Sequence, residues 1–267
     1  MMTRQTAIRN LHGVALFLAP LLILLLIWHL IVEIFDVNPR VFPSVGAVGR
    51  AAFDALLDGS LLRHVGASLL RVVTGAVLGM LVAIPLGIAM GLSAGIRGFF
   101  SPIMRFFSVL AGIAWIPLAT LWFGYGFGAM VFVIFNAVFF VVAYNTLLGV
   151  ATIPIPLRRA AASLGARRWQ TFVYILLPGA LPNIVTGIRT GLGFAWRGLI
   201  AAEMIATNVG LGYMLFVARD FYRTEVIVFG MMTIGLIWLG MDRLFLAPLE
   251  RATIERWGLV RSTGGPR

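Results

Sequence analysis

The chain has 267 residues, of which 60% are hydrophobic and only 12% charged, with a formal net charge of +11. Its mean hydropathy of +0.98 excludes an ordinary soluble domain and points to an all-α, polytopic helical membrane protein. Cysteine is absent, which excludes disulfides and thiol chemistry, and all 21 basic residues are arginine. Because these arginines are interspersed among apolar runs, they suit an anionic inner leaflet and exclude a nucleic-acid-binding face.

A transmembrane helix needs about 20 apolar residues to cross roughly 30 Å of hydrocarbon. On that criterion six spans are predicted, near 14–35, 68–92, 101–123, 127–150, 179–206 and 226–247. The first, VALFLAPLLILLLIWHLIVEIF, is long and has no prompt small-x-small site after it, so it reads as an uncleaved anchor. Arginine counts set the orientation. Segment 1–13 carries two and no acid, 93–105 carries Arg97 and Arg105, and 151–178 carries four. The loops 36–64 and 207–225 balance arginine against acid. Both termini, 1–13 and 248–267, are therefore expected in the cytoplasm around a six-span transmembrane domain at 14–247.

Within 36–64, Pro43 and Ser44 are a start signal and Gly59 a stop. Val45, Val48, Ala52 and Leu56 recur at helical spacing, as in an amphipathic helix on the outer surface; a solvated connector is the alternative reading. Inside the spans, Gly75/Gly79, Gly87/Gly91/Gly95 and Gly187/Gly191 let backbones approach closely in lipid, which predicts a packed bundle and no particular function.

Residues 158–178 read RRAAASLGARRWQTFVYILLP, four arginines with no acid. Pro154 and Pro156 forbid continuation of the fourth span. The pattern predicts a short helix over 158–164, a turn at Gly165 and a second helix over 167–174 ended by Pro178. An ordinary basic loop would explain the charge but not the alanines, the glycine or the spacing. The stretch resembles the cytoplasmic signature of permease subunits of binding-protein-dependent ABC importers: Glu-Ala-Ala, three residues, Gly, nine residues, Ile-x-Leu-Pro. Here it reads Arg159-Ala160-Ala161, Gly165, then Ile175-Leu176-Leu177-Pro178, with every spacing kept.

Further stretches, including FPSVGAV, WIPLATLWFG and LPNIVTGIRTGLGFAWRGLIAAEMI, resemble the nitrate/sulfonate/taurine branch of that family. The resemblance implies a type I ABC importer permease fold. It also implies docking of 151–178, through Arg158, Arg159, Ala160, Ala161, Leu164, Gly165, Arg167, Arg168, Trp169, Ile175, Leu177 and Pro178, into a cleft of a cytoplasmic ATPase. Arg159 stands where the family usually has Glu, which puts that one polar contact in question. No Gly-x-x-x-x-Gly-Lys-Ser/Thr loop occurs, so ATP and Mg²⁺ are expected on a partner and no cofactor on this chain. The implied partners are ABC ATPase subunits, a second permease subunit, an extracytoplasmic binding protein and membrane lipid, and the implied location is a bacterial inner membrane.

The fifth span holds Arg189, Trp196, Arg197 and Glu203, and charges inside a span are costly and functional by default. Arg189, Trp196 and Glu203 are seven apart and form one stripe, with Arg197 to one side. Two readings stand: a polar lining of the solute pathway, or two charges snorkelling to opposite faces around a packed tryptophan. Asn136 and Asn145, with Tyr144, are weaker pathway candidates in the fourth span. No cluster of His, Cys or acid suggests a metal or a catalytic centre. A secondary transporter and a carrier of an uncharged heterocycle, such as a vitamin precursor, are the alternatives to an ABC permease for a small anion.

Overall fold

The computed structural model describes residues 19–20, 23–35, 37–110 and 112–254, and its regular elements are all helical. The expected N-terminal segment 1–13, the first part of the span 14–35 and the end of the tail 248–267 lie outside the described residues. Among those described, four helical runs are long and apolar enough to cross a membrane: Ser60–Leu92, Phe127–Ala151, Arg168–Ala206 and Thr224–Glu250. A shorter apolar helix, α1 (Ile23–Ile34), belongs to the expected first span.

The third expected span, 101–123, is not one straight helix. Helix α4 (Ala94–Ser108) meets a 3-10 turn (Gly112–Trp115) and helix α5 (Ile116–Phe123) at a bend of 90°. Continuous apolarity cannot reveal such a break, because periodicity says nothing about direction. Pro117 sits in the first turn of α5, where its missing N–H costs nothing. Rings fill the corner: Trp115 lies 5.8 Å from Phe107 and 5.9 Å from Phe132, and Trp122 and Phe123 also lie against Phe132.

The chain divides into two compact units. In the first (1–62 with 214–233), Ser44 accepts the Ala47 N–H and starts helix α2 (Val45–Leu57), and Gly59 stops it at φ +70°. Its buried positions are Val48 and Ala51, whereas Leu56, expected on the apolar face, is exposed. Thr224 donates to the Pro39 carbonyl at 3.0 Å.

The second unit (63–213 with 234–267) is built around α6 (Phe127–Ala151). Helix α3 (Ser60–Leu92) lays Gly75, Gly79, Gly87 and Gly91 against Ile134, Val138, Thr146 and Val150 of α6. On another side of α6, Gly149 faces Asn183, and Gly187 of α9 (Leu177–Ala206) faces Asn145. These are small-residue seams of the kind that let helices pack in lipid, where no hydrophobic force drives helices together. Gly95, grouped with Gly87 and Gly91 by spacing, touches only Ser93.

Between α6 and α9 lie α7 (Ile155–Ser163), the single turn α8 (Arg168–Thr171) and a π-turn (Phe172–Leu176). After α9 come α10 (Leu211–Asp220), α11 (Thr224–Met241), a second π-turn (Asp242–Leu246) and α12 (Ala247–Ile254). Each π-turn ends two residues before a proline, Pro178 or Pro248. A widened turn there accommodates the ring and the lost donor.

Helix α10 ends in a 6→1 and 5→2 pair of bonds, Arg223 N–H to Ala218 O and Tyr222 N–H to Arg219 O. That closure places Tyr222 at φ +56°, where glycine is usual. A non-glycine residue there costs about 1–2 kcal/mol.

Two outcomes test this packing. Gly91→Ile, whose Cβ would lie 2.5 Å from the Val150 Cβ, is expected to lower stability by about 2 kcal/mol or more through overpacking. Gly98→Leu, with nothing near its Cβ, is expected to leave the thermal midpoint in detergent unchanged; equal loss in both would dismiss the seam. Tyr222→Gly is expected to raise that midpoint by relieving the left-handed backbone, and a fall would show that the tyrosine ring contributes more than its strain costs.

Candidate functional site: a cationic cavity and an exposed basic turn

A cavity of about 380 Å³ lies between α6, α9 and the corner joining α4 to the 3-10 turn. Its walls are largely apolar, with Leu110, Ile113, Phe140 and Phe194 among them. Three polar groups converge on it. Arg197 supplies the cation, with its guanidinium 5.7 Å from the centre of the Phe194 ring. Asn136 is buried and spends one N–H on the Phe132 carbonyl at 2.9 Å, leaving its amide oxygen and second N–H for other work. The Tyr144 hydroxyl is buried and makes no hydrogen bond to the protein. Apolar walls with a few converging polar groups are the general form of a small-molecule site. One guanidinium beside a free hydroxyl and an amide suits a solute with a single anionic head and a short apolar body.

The stripe expected on the fifth span is not brought together. Arg189 is held elsewhere, with its guanidinium spanning Asp242 at 2.8 and 2.9 Å and Glu250 at 2.5 Å. Trp196 is buried, and its indole N–H has no partner. Asn145 donates to the Val141 carbonyl of its own helix and packs into the space left by Gly187. Of the seven pathway candidates, Arg197, Asn136 and Tyr144 reach the cavity.

Glu203 lies in a buried polar network and is 0% exposed. Its carboxylate accepts from Ser68 Oγ at 2.9 Å, Arg71 Nη1 at 2.6 Å and the Gly212 N–H at 3.0 Å. Arg71 also donates to the Val209 carbonyl and to Thr207 Oγ1, Ser68 Oγ accepts the Leu211 N–H, and His64 Nδ1 accepts the Gly210 N–H. Residues 64, 68 and 71 share one face of α3, at i, i+4 and i+7. Turn 207–212 crosses the carboxylate so closely that a Cβ on Gly210 would lie within contact distance of all three carboxylate atoms. Sequence reasoning did not single out Arg71, Ser68 or His64. The available signal was that Arg71 is the one arginine or acid between 64 and 96, inside an apolar run.

The basic turn is equally specific. Leu164, Gly165 and Ala166 close α7 with Gly165 N–H to Ala162 O and Ala166 N–H to Ala161 O, and Gly165 sits at φ +79°. This is the glycine-ended motif that Tyr222 imitates. Open space surrounds a Cβ on Gly165, so its glycine is required by the backbone and not by close packing. Ala161 faces inward, and Ala160 and Arg159 face out. Arg158 donates to the Val150 carbonyl and caps the end of α6. Arg167 and Gln170 cap α8, since the Arg167 N–H donates to Gln170 Oε1. Arg168 is exposed, and Ile175, Leu177 and Pro178 are half-buried. What the turn presents outward is apolar, led by Leu164 at 88% and Trp169 at 70% exposure, beside arginines.

A bundle of long apolar helices with a small cationic cavity and an exposed apolar-basic turn defines an integral-membrane solute permease. The chain belongs to the family of binding-protein-dependent transport system inner membrane components, whose model matches residues 61–244. It is 38% identical over 253 residues to the taurine transport system permease protein TauC of Escherichia coli, covering 93% of this chain and 92% of that protein. It is 35% identical over 237 residues to the riboflavin transport system permease protein RibX of Chloroflexus aurantiacus, covering 89% and 88%. The putative aliphatic sulfonates transport permease protein SsuC of Escherichia coli is 34% identical over 211 residues, covering 79% and 80%. Among solved structures, an inward-facing MetNI methionine ABC transporter chain matches with TM-score 0.63 at 20% identity, covering 74% of this chain and 98% of that one. The fold is thus the ABC importer permease fold, and the chain is a permease subunit of such an importer. Its part is passage, not catalysis. Membership also implies a separate ATPase and a binding protein as partners, and a multi-pass membrane location.

Proposed function

We propose that the chain passes a small anionic solute of the sulfonate or taurine kind into a bacterial cytoplasm, working as a homodimer with both termini inside. A separate extracytoplasmic binding protein delivers the solute to the pair. ATP and Mg²⁺ act on the partner ATPases, which engage segment 151–178. The observation that carries the reading is the meeting of Arg197, Asn136 and the unpartnered Tyr144 hydroxyl in one apolar cavity. The TauC and SsuC relatives support the solute class. ATP-driven approach of the ATPases would draw the two 151–178 segments together and switch which side the cavity faces, a rigid-body change biased by ligand.

A second reading, an uncharged heterocycle, is favoured by the cavity's rings Phe140, Tyr144 and Phe194 and by the riboflavin relative. Arg197→Ala in proteoliposomes with the cognate ATPase and binding protein separates the two. A loss of one to two orders of magnitude in taurine import, with ATPase assembly intact, is expected, since a charge-assisted bond contributes about 1.5–3 kcal/mol. Unchanged import would remove the anion reading.

The coupling assignment has its own test. Leu164→Asp and Trp169→Asp place a charge on an exposed apolar surface and are expected to leave the thermal midpoint unchanged while abolishing ATPase co-purification. Co-purification at the normal level would reject the docking role of 151–178.

A further inference from the structure

We infer that the Arg71–Glu203 pair, with Ser68, His64 and turn 207–212, is the positioning device that sets the rotation of α9 and thereby aims Arg197 into the cavity. The inference rests on the cavity being the solute passage. Helix α9 is continuous from Leu177 to Ala206, so Glu203 lies about 9 Å along the axis from Arg197 and about 120° around it. Neither Glu203 nor Arg71 lines the cavity, so neither can touch solute there. Both nevertheless determine where the wall formed by Phe194, Arg197 and Gly198 faces.

The network is directional in a way that apolar packing is not. Arg71 reaches three acceptors, Glu203 Oε1, the Val209 carbonyl and Thr207 Oγ1, and the Glu203 carboxylate gathers three donors. Turning α9 about its axis would break several of these bonds at once. Sliding α9 along α3 would pull turn 207–212 off Ser68 and His64. The end of α9 is tied a second time, by the Gly126 N–H to the Ala206 carbonyl at 2.9 Å. Apolar side chains of similar volume would keep α3 and α9 together equally well, since a buried ion pair contributes little net stability. Its best-attested use is to fix one register among several, as a single buried polar residue does in a coiled coil.

The test uses the full chain in membranes, where the absence of native cysteine leaves single introduced thiols unmasked. Phe194→Cys and Arg197→Cys report the cavity wall, and Ala195→Cys and Leu199→Cys report the fully buried side of α9. The probe is a membrane-impermeant maleimide. With the network intact, positions 194 and 197 should label and 195 and 199 should not. Failure of 194 and 197 to label would reject the passage reading itself and leave the network unblamed.

The same four reporters are then placed in two altered backgrounds, Glu203→Gln and the double variant Arg71→Met with Glu203→Leu. The double variant is expected to keep a near-normal thermal midpoint while labelling at 195 and 199 rises to within about threefold of that at 197, as register is lost. Glu203→Gln, which keeps the shape but strands the Arg71 charge, should shift the pattern in the same direction and also lower the thermal midpoint. A labelling pattern unchanged in a folded double variant would overturn the inference. Loss of folding in both backgrounds would overturn it too, because the network would then serve assembly alone.

Discussion

Inside the bundle, the Arg71 guanidinium and the Glu203 carboxylate meet at 2.6 Å with almost no exposure. A bilayer offers no water to an unsatisfied donor or acceptor, so each polar group buried there needs a partner within the protein. The pair meets that demand by recruiting a helix face at 64, 68 and 71 and the backbone of turn 207–212. Removing one member of such a buried pair costs about 3–5 kcal/mol, because the other charge is left stranded. The glycine at 210 follows from the same constraint, since a Cβ there would strike the Glu203 carboxylate, whereas one at 212 would first strike the Ile200 carbonyl. A charge near the end of one span thus dictates the path of the chain beyond it.

Around that anchor, the rest of the second unit is built from close approach. Helix α6 has small-residue seams on more than one side, with α3 glycines against its branched residues and α9 glycines against Asn145 and Val138. Because lipid is as apolar as leucine, shape and close contact hold these seams together. The cavity is where close approach stops. The corner between α4 and the 3-10 turn stands off from α6 and α9, and Arg197, Asn136 and Tyr144 face the space so formed. That space is lined by one cation and aromatic rings.

Two of the left-handed turns differ in the residue that occupies them. Gly165 ends α7 without strain and displays Leu164 and Trp169 outward. Tyr222 closes α10 in the same geometry with a ring that is 76% exposed. Among the described residues, nothing explains an aromatic side chain at that position.

Residue order alone determined the class of protein, the membrane-spanning runs near 68–92, 127–150, 179–206 and 226–247, the start of α2 at Ser44, and the family through the spacing of Arg159–Pro178. These follow from quantities that a sequence carries directly: apolar length, cap residues, φ-permissive glycines and fixed offsets. The seams announced by Gly75, Gly79, Gly87, Gly91 and Gly187 were legible for the same reason. The tertiary structure decided the rest. Spacing placed Arg189, Trp196 and Glu203 on one stripe, yet each is claimed by a different neighbour: Arg189 by Asp242 and Glu250, Trp196 by the core, Glu203 by α3. The 90° bend between α4 and the 3-10 turn is of the same kind. Helical periodicity tells which residues share a face; only the partners packed against that face, 132 residues away in the case of Arg71 and Glu203, determine what the face does.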